Sequence, residues 1–206
     1  MFGDPATNPK GWPIKRFGDL VERVEGGKNL QAGAVGDSSF RILKISAVTS
    51  GTYDESESKP APAGFEPPAH YIVRDGDILF SRANTEALVG ATAGVESTDG
   101  KSLLPDKLWR LVWCPKEGIV PAYMLAMLQN GSVRRQLSKM AAGTGGSMKN
   151  ISQAKLLELK LPIAPAALQS AFQEQTLTAR SILRGVGRSG GVAEETFQSL
   201  LADAFA

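Results

Sequence analysis

The sequence predicts an α+β fold in which a mixed α/β domain with a twisted β-sheet is followed by a long helix. Two observations support this prediction. Over residues 1–164, short runs of β-branched and apolar residues alternate with turn signals, a pattern typical of sheet-containing domains. Over residues 165–206, no proline follows Pro165, and apolar residues recur at helical spacing. A chain of 206 residues is long enough for one such domain with a helical appendage.

The strands are predicted from composition and from the turn residues that separate them. Four runs are rich in apolar and β-branched residues: 40–46, 88–95, 108–114 and 159–163. A further pair, residues 71–73 and 78–80, flanks an Asp-Gly dipeptide, which indicates a tight turn. Residues 50–68 contain four prolines and therefore predict a long surface loop.

Helices are predicted where capping and stop residues bracket a helical pattern. They are residues 16–24, 121–129, 132–142 and 152–158. Pro121 suits a first helical turn, and Asn130-Gly131 suits the end of that helix. Ser152 is a typical N-cap residue for the last of the four helices.

The C-terminal segment carries a heptad stripe, in which residues recur at alternating spacings of four and three. This spacing is typical of the seam of a helix that packs on another helix. The stripe comprises Leu168, Phe172, Gln175, Ala179, Ile182 and Val186, and it resumes at Ala193, Phe197, Leu200, Leu201 and Ala204. Glycines between residues 185 and 191 each cost about 1 kcal/mol in a helix interior, so we expect two helical pieces with a kink. We expect the seam to meet a partner helix; the alternative is a helix folded back on its own domain.

Positive charge is concentrated in one segment of a chain whose net charge is +2. Residues 131–160 carry a net charge of +5, whereas residues 51–130 carry a net charge of −4. The basic residues are Arg134, Arg135, Lys139, Lys149, Lys155 and Lys160. Such a segment indicates either a surface that meets phosphate groups or an ordinary solvated helix surface.

The scarcity of catalytic side chains argues against an enzyme. One cysteine, Cys114, cannot form an internal disulfide, and with one histidine, His70, it cannot build the usual Cys/His zinc site. His70 is also the one imidazole base, and no nucleophile turn lies near it in the sequence. Asp75 and Asp77 leave open a small metal-dependent nuclease, although the pair sits in a predicted tight turn without an accompanying Glu-x-Lys.

Two short motifs look like cofactor sites but lack required features. Residues 94–102 place five residues between two glycines where a phosphate-binding loop needs four, and Pro105 follows where a helix should begin. Glu66-Pro67-Pro68-Ala69 lacks the polar and aromatic residues that flank the Pro-Pro pair of amino-group methyltransferases. We therefore expect no cofactor on this chain.

The sequence offers no segment that predicts export or membrane insertion. Residues 1–20 have no apolar run typical of a signal peptide. The longest mostly apolar stretch, residues 119–128, is shorter than the ~20 residues that span a bilayer. We expect a cytoplasmic protein without membrane contact.

Several motifs occur in a fixed order across nearly the whole chain. They are Phe2-Gly3-Asp4-Pro5 with Asn8-Pro9-Lys10-Gly11-Trp12, the segment 12–20, Gly76-Asp77-Ile78-Leu79 with Ser81-Arg82, Lys149-Asn150-Ile151-Ser152 with the segment 159–165, Gln173-Glu174-Gln175, and Phe197-Gln198-Ser199-Leu200. In this order they resemble the specificity (S) subunit of type I restriction–modification systems.

The resemblance implies a DNA target recognition domain over residues 1–164 and a conserved-region helix, for dimerisation and spacing, over residues 165–206. It implies sequence-specific binding of duplex DNA. Methyl transfer, with its S-adenosylmethionine, and cleavage would belong to partner methyltransferase (M) and restriction (R) subunits. Because the family carries two recognition domains and two helices, we expect a half subunit that forms a homodimer through the heptad seam and reads a bipartite target.

The expected DNA contacts are polar side chains on loops and at strand ends. Arg82 and Asn84 follow the Gly-Asp-Ile-Leu strand, and Arg and Asn can read guanine and adenine with paired hydrogen bonds. The other candidates are Ser81, Thr144, Ser147, Lys149, Lys28 and Lys44. The expected seam comprises Leu168, Phe172, Ala179, Ile182, Val186, Phe197 and Leu200. A rival function is a protein-only scaffold that docks on a methyltransferase without reading DNA.

Overall fold

The structure is a computed structural model that describes residues 1–36, 38–143, 148–185, 199 and 203–205. Within these residues the chain forms short strands and helices in mixed order. The strands are β1 (Ile14–Arg16), β2 (Val21–Gly26), β3 (Arg41–Leu43), β4 (Ser58–Pro60), β5 (Ile78–Ser81), β6 (Ala83–Asn84), β7 (Thr92–Gly94), β8 (Ser102–Leu103), β9 (Leu108–Trp113), β10 (Lys149–Asn150) and β11 (Lys160–Pro162). The α-helices are α1 (Phe17–Leu20), α2 (Pro121–Gln129), α3 (Gly131–Met140), α4 (Gln153–Leu157) and α5 (Ala166–Gly185). Short 3₁₀ helices occupy Ile45–Val48, Ala69–Tyr71 and Pro115–Glu117.

The main sheet has the strand order β2-β9-β5-β7, and each neighbouring pair is antiparallel. A smaller sheet places β3 between β4, which is antiparallel to it, and β8, which is parallel. Two further antiparallel pairs, β1 with β11 and β6 with β10, connect distant parts of the chain. The two inner strands of the main sheet are therefore β9 and β5, and the longer of them, β9, is called the central strand below.

The main sheet is covered on both faces, because its buried strands alternate their side chains between two cores. Phe80 of β5 packs in one core with Tyr123 of α2 and Leu137 of α3. Its neighbour Leu79 packs in the other core with Leu43 of the smaller sheet. The helices lie on one face and the smaller sheet lies on the other.

The two ends of the chain meet in the helical layer. The backbone N–H of Phe2 donates to the carbonyl of Ala204 at 2.5 Å. The Phe2 ring contacts the rings of Tyr123, Phe172 and Phe205, with centroid distances of 4.9, 5.4 and 5.0 Å. Helix α5 is thus anchored to the body of the domain through Phe172.

The predicted fold class is confirmed as a mixed α/β structure with a C-terminal helix, and several elements agree closely. Helix α2 has the predicted bounds. Ser152 caps α4, because its hydroxyl accepts from the N–H of Lys155 at 3.3 Å. Asn130 does more than end α2: its side chain also accepts from the N–H groups of Ser132 and Val133 and so begins α3.

The predicted helix at residues 16–24 is wrong. One helical turn, α1, is followed at once by β2, which pairs with the central strand β9. The hydrogen bonds of this ladder outweigh the weak helix propensity of a short segment. A register irregularity between Val21 and Arg23 marks the place where the strand adjusts to its neighbour.

Two predicted strands are shorter than expected, and a third does not form. The predicted strand at 40–46 is reduced to β3, and the one at 88–95 to β7. Residues 71–73 overlap a 3₁₀ helix instead of forming one arm of a hairpin. The turn itself is present, because the N–H of Asp77 donates to the carbonyl of Arg74 and Gly76 has a φ of +82°.

The predicted kink involves residues 185–191. Because residues 186–191 lie outside the described residues, the kink stays a prediction. Up to Gly185, α5 is one continuous helix. In the part of the chain that the structure describes, no helix is both long enough and apolar enough to cross a membrane.

Candidate nucleic-acid interface

One end of the main sheet gathers the starts and ends of three strands. Because β9 is antiparallel to β2 and β5, its first residues lie beside the last residues of both. The N–H of Gly27 donates to the carbonyl of Pro105, and the N–H of Arg82 donates to the carbonyl of Lys107, both at 3.1 Å. We refer to the polar residues at this end as the strand-end surface: Lys28, Arg82, Asn84, Lys107 and Lys149.

Arg82 is held at this surface by its neighbours but is not enclosed. Its Nε donates to the carbonyl oxygen of Asp106 at 2.8 Å, and its Nη2 lies 3.9 Å from the Asp106 carboxylate. Its guanidinium carbon lies 5.5 Å from the ring centroid of Trp109. The side chain remains 29% exposed. Arg82 therefore combines a fixed position with a guanidinium edge that water or a ligand can reach.

Asn84 and Lys149 are opposite each other in the β6–β10 pair. The Asn84 Oδ1 atom accepts from the N–H of Thr85 at 2.8 Å, which fixes the amide plane. The Lys149 ammonium lies 3.4 Å from the carbonyl of Gly143 and 4.0 Å from the Glu86 carboxylate. The structure thus brings together two residues that are 65 positions apart in the sequence.

The described residues on either side of the predicted glycine-rich loop lie next to β10. Ala142 exchanges two backbone hydrogen bonds of 2.8 Å with Asn150, so the described flanks of the loop are joined beside β10. Thr144 and Ser147, which are expected DNA contacts, lie outside the described residues. Their role stays a prediction.

Two of the predicted contacts are placed elsewhere. Ser81 is fully buried, and its hydroxyl lies 3.4 Å from the carbonyl of Ala83, so the side chain cannot reach DNA. This corrects the prediction, and the cause is that Ser81 is the last residue of a strand whose side chains are all buried. Lys44 is exposed but follows β3 of the smaller sheet, where its ammonium lies 3.7 Å from the Glu57 carboxylate.

The basic segment 131–160 is not a uniform charged surface. Arg134 donates to the carbonyls of Val89 and Ala87 at 2.8 and 3.1 Å, and burial lowers the pKa of its guanidinium. The ammonium of Lys155 donates to the carbonyl of Met140 at 3.2 Å, at the end of α3. Both cations serve the fold, whereas Arg135 and Lys139 are exposed.

The seam residues on α5 divide between the domain core and the solvent. Phe172 is 3% exposed and packs within its own chain, so the expectation that it faces a partner helix is corrected. Leu168 also packs against the core, and Ala179 is half-buried. The cause is that α5 lies on α2 along its first turns. For Ile182 the structure describes the helical backbone alone, and Val186, Phe197 and Leu200 lie outside the described residues.

The carboxylates of the alternative nuclease site are occupied by protein groups. Asp77 lies 2.7 Å from the Arg110 guanidinium and accepts from the N–H of Arg74 at 2.8 Å. Asp75 accepts from the N–H of Thr98 at 2.8 Å. Among the described residues, no group of three or more potential ligands is placed to hold a metal ion. The geometry therefore gives the nuclease reading no support.

Arg110 is the centre of a buried ion network that the sequence did not reveal. It lies in the central strand β9, directly opposite Glu25 of β2, and its Nη1 donates to the Glu25 carboxylate at 2.8 Å. The guanidinium also donates to the backbone carbonyls of His70 and Ile72. Burial raises the pKa of Glu25, but hydrogen bonds from Arg110 and Arg23 outweigh this effect and lower it below its ordinary value.

Lys107 is a further residue that sequence reasoning missed. It precedes β9 and lies beside Arg82 through the backbone hydrogen bond described above. The sequence offers one signal for it, because Lys107 directly precedes the predicted strand 108–114 and therefore lies at one end of that strand. It lies beside Arg82 only if the strand is paired antiparallel with its neighbour. The pairing itself cannot be read from the sequence.

No family model matches this chain. It is 30% identical over 168 residues to the specificity subunit of the type I restriction enzyme EcoEI of Escherichia coli, an alignment that covers 80% of this chain and 28% of that protein. The resemblance to type I specificity subunits is confirmed. The chain spans little more than a quarter of this relative's length.

Solved structures of type I specificity subunits share the fold. The HsdS subunit from Thermoanaerobacter tengcongensis matches with a TM-score of 0.53 and 17% identity, over 96% of this chain and 45% of that one. The S subunit from M. genitalium matches with a TM-score of 0.51 and 13% identity, over 88% of this chain and 45% of that one. The chain thus spans less than half the length of either subunit.

Proposed function

We propose that this chain binds duplex DNA sequence-specifically, as the target-reading part of a type I restriction–modification specificity subunit. The observation that carries the proposal is the strand-end surface, where cations and an amide from four separate segments converge on one sheet end. A surface that combines lysines with a restrained arginine and asparagine meets both needs of a DNA reader, which are phosphate anchors and base contacts. The curated relative is itself named a specificity subunit.

The residues divide into two proposed roles. Lys28, Lys107 and Lys149 would contact phosphates, since a lysine ammonium acts as a flexible point charge. Arg82 and Asn84 would read base edges in the major groove, because their planar groups are oriented by Asp106 and Thr85. Thr144 and Ser147 would contribute from the adjoining glycine-rich loop.

We propose that catalysis belongs to partner chains in the cytoplasm. A methyltransferase subunit would hold S-adenosylmethionine and modify the DNA, and a restriction subunit would cleave it. The proposed division of labour assigns residues 1–164 to DNA recognition and residues 165–206 to a helical spacer. Helix α5, which begins at Ala166 and exposes Leu177, supports that boundary.

A bipartite target would require a second recognition domain, which we propose is supplied by a second copy of this chain. The proposed seam comprises the C-terminal residues Ala179, Ile182, Val186, Phe197 and Leu200 in a coiled coil. Leu168 and Phe172 are not part of it, because they pack against their own domain.

The test is an enrichment experiment with the full chain and a randomised duplex library. We expect one sequence to be enriched, and its affinity to fall with salt with a logarithmic slope of about −0.9 per phosphate contacted, hence about −3 for the three lysines of one copy. No enrichment together with salt-independent binding would indicate a scaffold. Cleavage of the duplex when Mg²⁺ is added would indicate a nuclease. Sedimentation of the selected complex should show two chains per duplex; one chain on an uninterrupted sequence would contradict the homodimer.

A further inference from the structure

A short loop that follows Asn84 is ordered from within. Residues 85–89, the clamped loop, form a turn in which the N–H groups of Leu88 and Val89 both donate to the carbonyl of Thr85, at 3.1 and 2.8 Å. The side chains of Thr85, Glu86 and Ala87 are exposed. From a closed backbone turn, the loop therefore displays one polar, one charged and one small side chain together with the apolar Leu88, which is 36% exposed.

Helix α3 holds this loop by its carbonyl oxygens. The two terminal nitrogens of Arg134 donate to the carbonyls of Val89 and Ala87, at 2.8 and 3.1 Å. The Ser138 hydroxyl donates to the carbonyl of Glu86 at 2.9 Å. The planar fork of a guanidinium suits two neighbouring acceptors, and lysine has no equivalent geometry. Three carbonyls of the loop are thus bound by α3, while the side chains of Thr85, Glu86 and Ala87 remain exposed.

Gly90 closes the loop against the same helix. Its φ is +79°, and a β-carbon at this position would lie 2.9 Å from Nη1 of Arg134 and 3.1 Å from Cβ of Leu137. A larger residue would be strained in its backbone and would push the clamp apart. The close approach of the loop to α3 therefore depends on this glycine.

We propose that the clamped loop is a preorganised base-reading element and that Arg134 is its positioning residue. The inference rests on the proposed DNA-binding function. The loop continues from Asn84 of the strand-end surface, and its Glu86 carboxylate lies 4.0 Å from the Lys149 ammonium of that surface. Ordering an exposed loop upon binding would oppose affinity, so a loop that is already fixed in the free protein reads its target with less loss of entropy. Arg134 does this without touching DNA.

The test compares Arg134→Ala, Arg134→Lys and Ser138→Ala with Arg135→Ala, whose side chain is adjacent on α3 and exposed. The first readout is hydrogen exchange of the Leu88 and Val89 amides in the free protein. We expect exchange to be about tenfold faster in Arg134→Ala, less affected in Ser138→Ala, and unchanged in Arg135→Ala. Arg134→Lys should not restore protection, because an ammonium cannot bind both carbonyls in the same way.

The second readout is the ratio of affinities for the duplex selected by the wild-type chain and a scrambled duplex of the same length. We expect this ratio to fall about tenfold in Arg134→Ala, with scrambled-duplex binding changed less than about twofold. Arg135→Ala should leave the ratio unchanged even if it weakens both affinities equally. Ser138→Ala keeps the test valid if Arg134→Ala does not fold.

The outcomes separate the two proposals. If the wild-type chain selects a sequence and faster loop exchange leaves the ratio unchanged, the loop does not read bases and the inference is wrong. The inference is also wrong if Arg135→Ala lowers the ratio as much as Arg134→Ala. If the wild-type chain selects no sequence at all, the proposed function itself fails, and the inference fails with it.

Discussion

Arg110 lies in the main sheet and Arg82 lies at its end, and the two arginines are placed for different tasks. Arg110 lies in the middle of the central strand β9, its side chain is 5% exposed, and it faces two carboxylates. Arg82 lies directly after β5 at the sheet end, its side chain is 29% exposed, and the nearest carboxylate oxygen is 3.9 Å away. A cation that is enclosed and neutralised serves the fold. A cation that is held in position but partly exposed, as Arg82 is, can exchange its protein partner, here Asp106, for a ligand.

The largest expected effect is the loss of folding stability when the enclosed arginine, Arg110, is replaced. We expect Arg110→Met to lower the free energy of unfolding by about 3 kcal/mol, because it leaves the largely buried Asp77 carboxylate without its cation and leaves Glu25 with Arg23 alone. Urea unfolding measures the loss. Arg23→Met is the matched control, since its guanidinium also contacts Glu25 but is 52% exposed, and it should cost about 0–1 kcal/mol. Equal losses of stability in the two variants would refute a special role for Arg110. Adding Glu25→Gln to Arg110→Met should recover part of the lost stability.

Replacing the more exposed arginine, Arg82, should affect DNA binding more than folding stability. We expect Arg82→Ala to weaken binding of the selected duplex by about 1–3 kcal/mol and to relax the preference at one base, with a smaller loss of folding stability. Fluorescence anisotropy with selected and scrambled duplexes measures both effects. Lys116→Ala provides the control, because this exposed lysine follows the opposite end of β9. Unchanged discrimination in Arg82→Ala would remove Arg82 from the base-reading residues.

The smallest effect concerns the pH dependence of the buried network. Because the pKa of Glu25 is lowered on folding, its ionised form stabilises the protein above its ordinary pKa of 4.5, and this contribution is lost as the pH falls through the lowered value. We expect the stability difference between wild type and Glu25→Gln to narrow as the pH falls below this ordinary value. Urea midpoints across this range measure it.

The sequence predicted elements best where local signals and tertiary packing agree. Helix α2 has Pro121 in its first turn and a capping residue after its end, so its bounds follow from local chemistry. Strand β2 was missed because the partner that stabilises it, β9, lies about 85 residues later in the chain. Of the candidate site, Arg82, Asn84 and Lys149 were predicted from motif order, and the structure places them together. Lys107 and Arg134 were not predicted, since their roles depend on which backbone groups other segments bring to them.

The sequence by itself determined the fold class, the resemblance to type I specificity subunits and the short list of polar residues with reach. These depend on composition, on motif order and on local propensity, all of which are properties of neighbouring residues. The tertiary structure alone decided which cations are enclosed and which remain open. It buried Ser81 and Arg110, gave Arg134 to a loop, and turned Phe172 toward its own core. The physical reason is that burial and pairing of a side chain are fixed by strand register and helix packing, which join residues far apart in the chain.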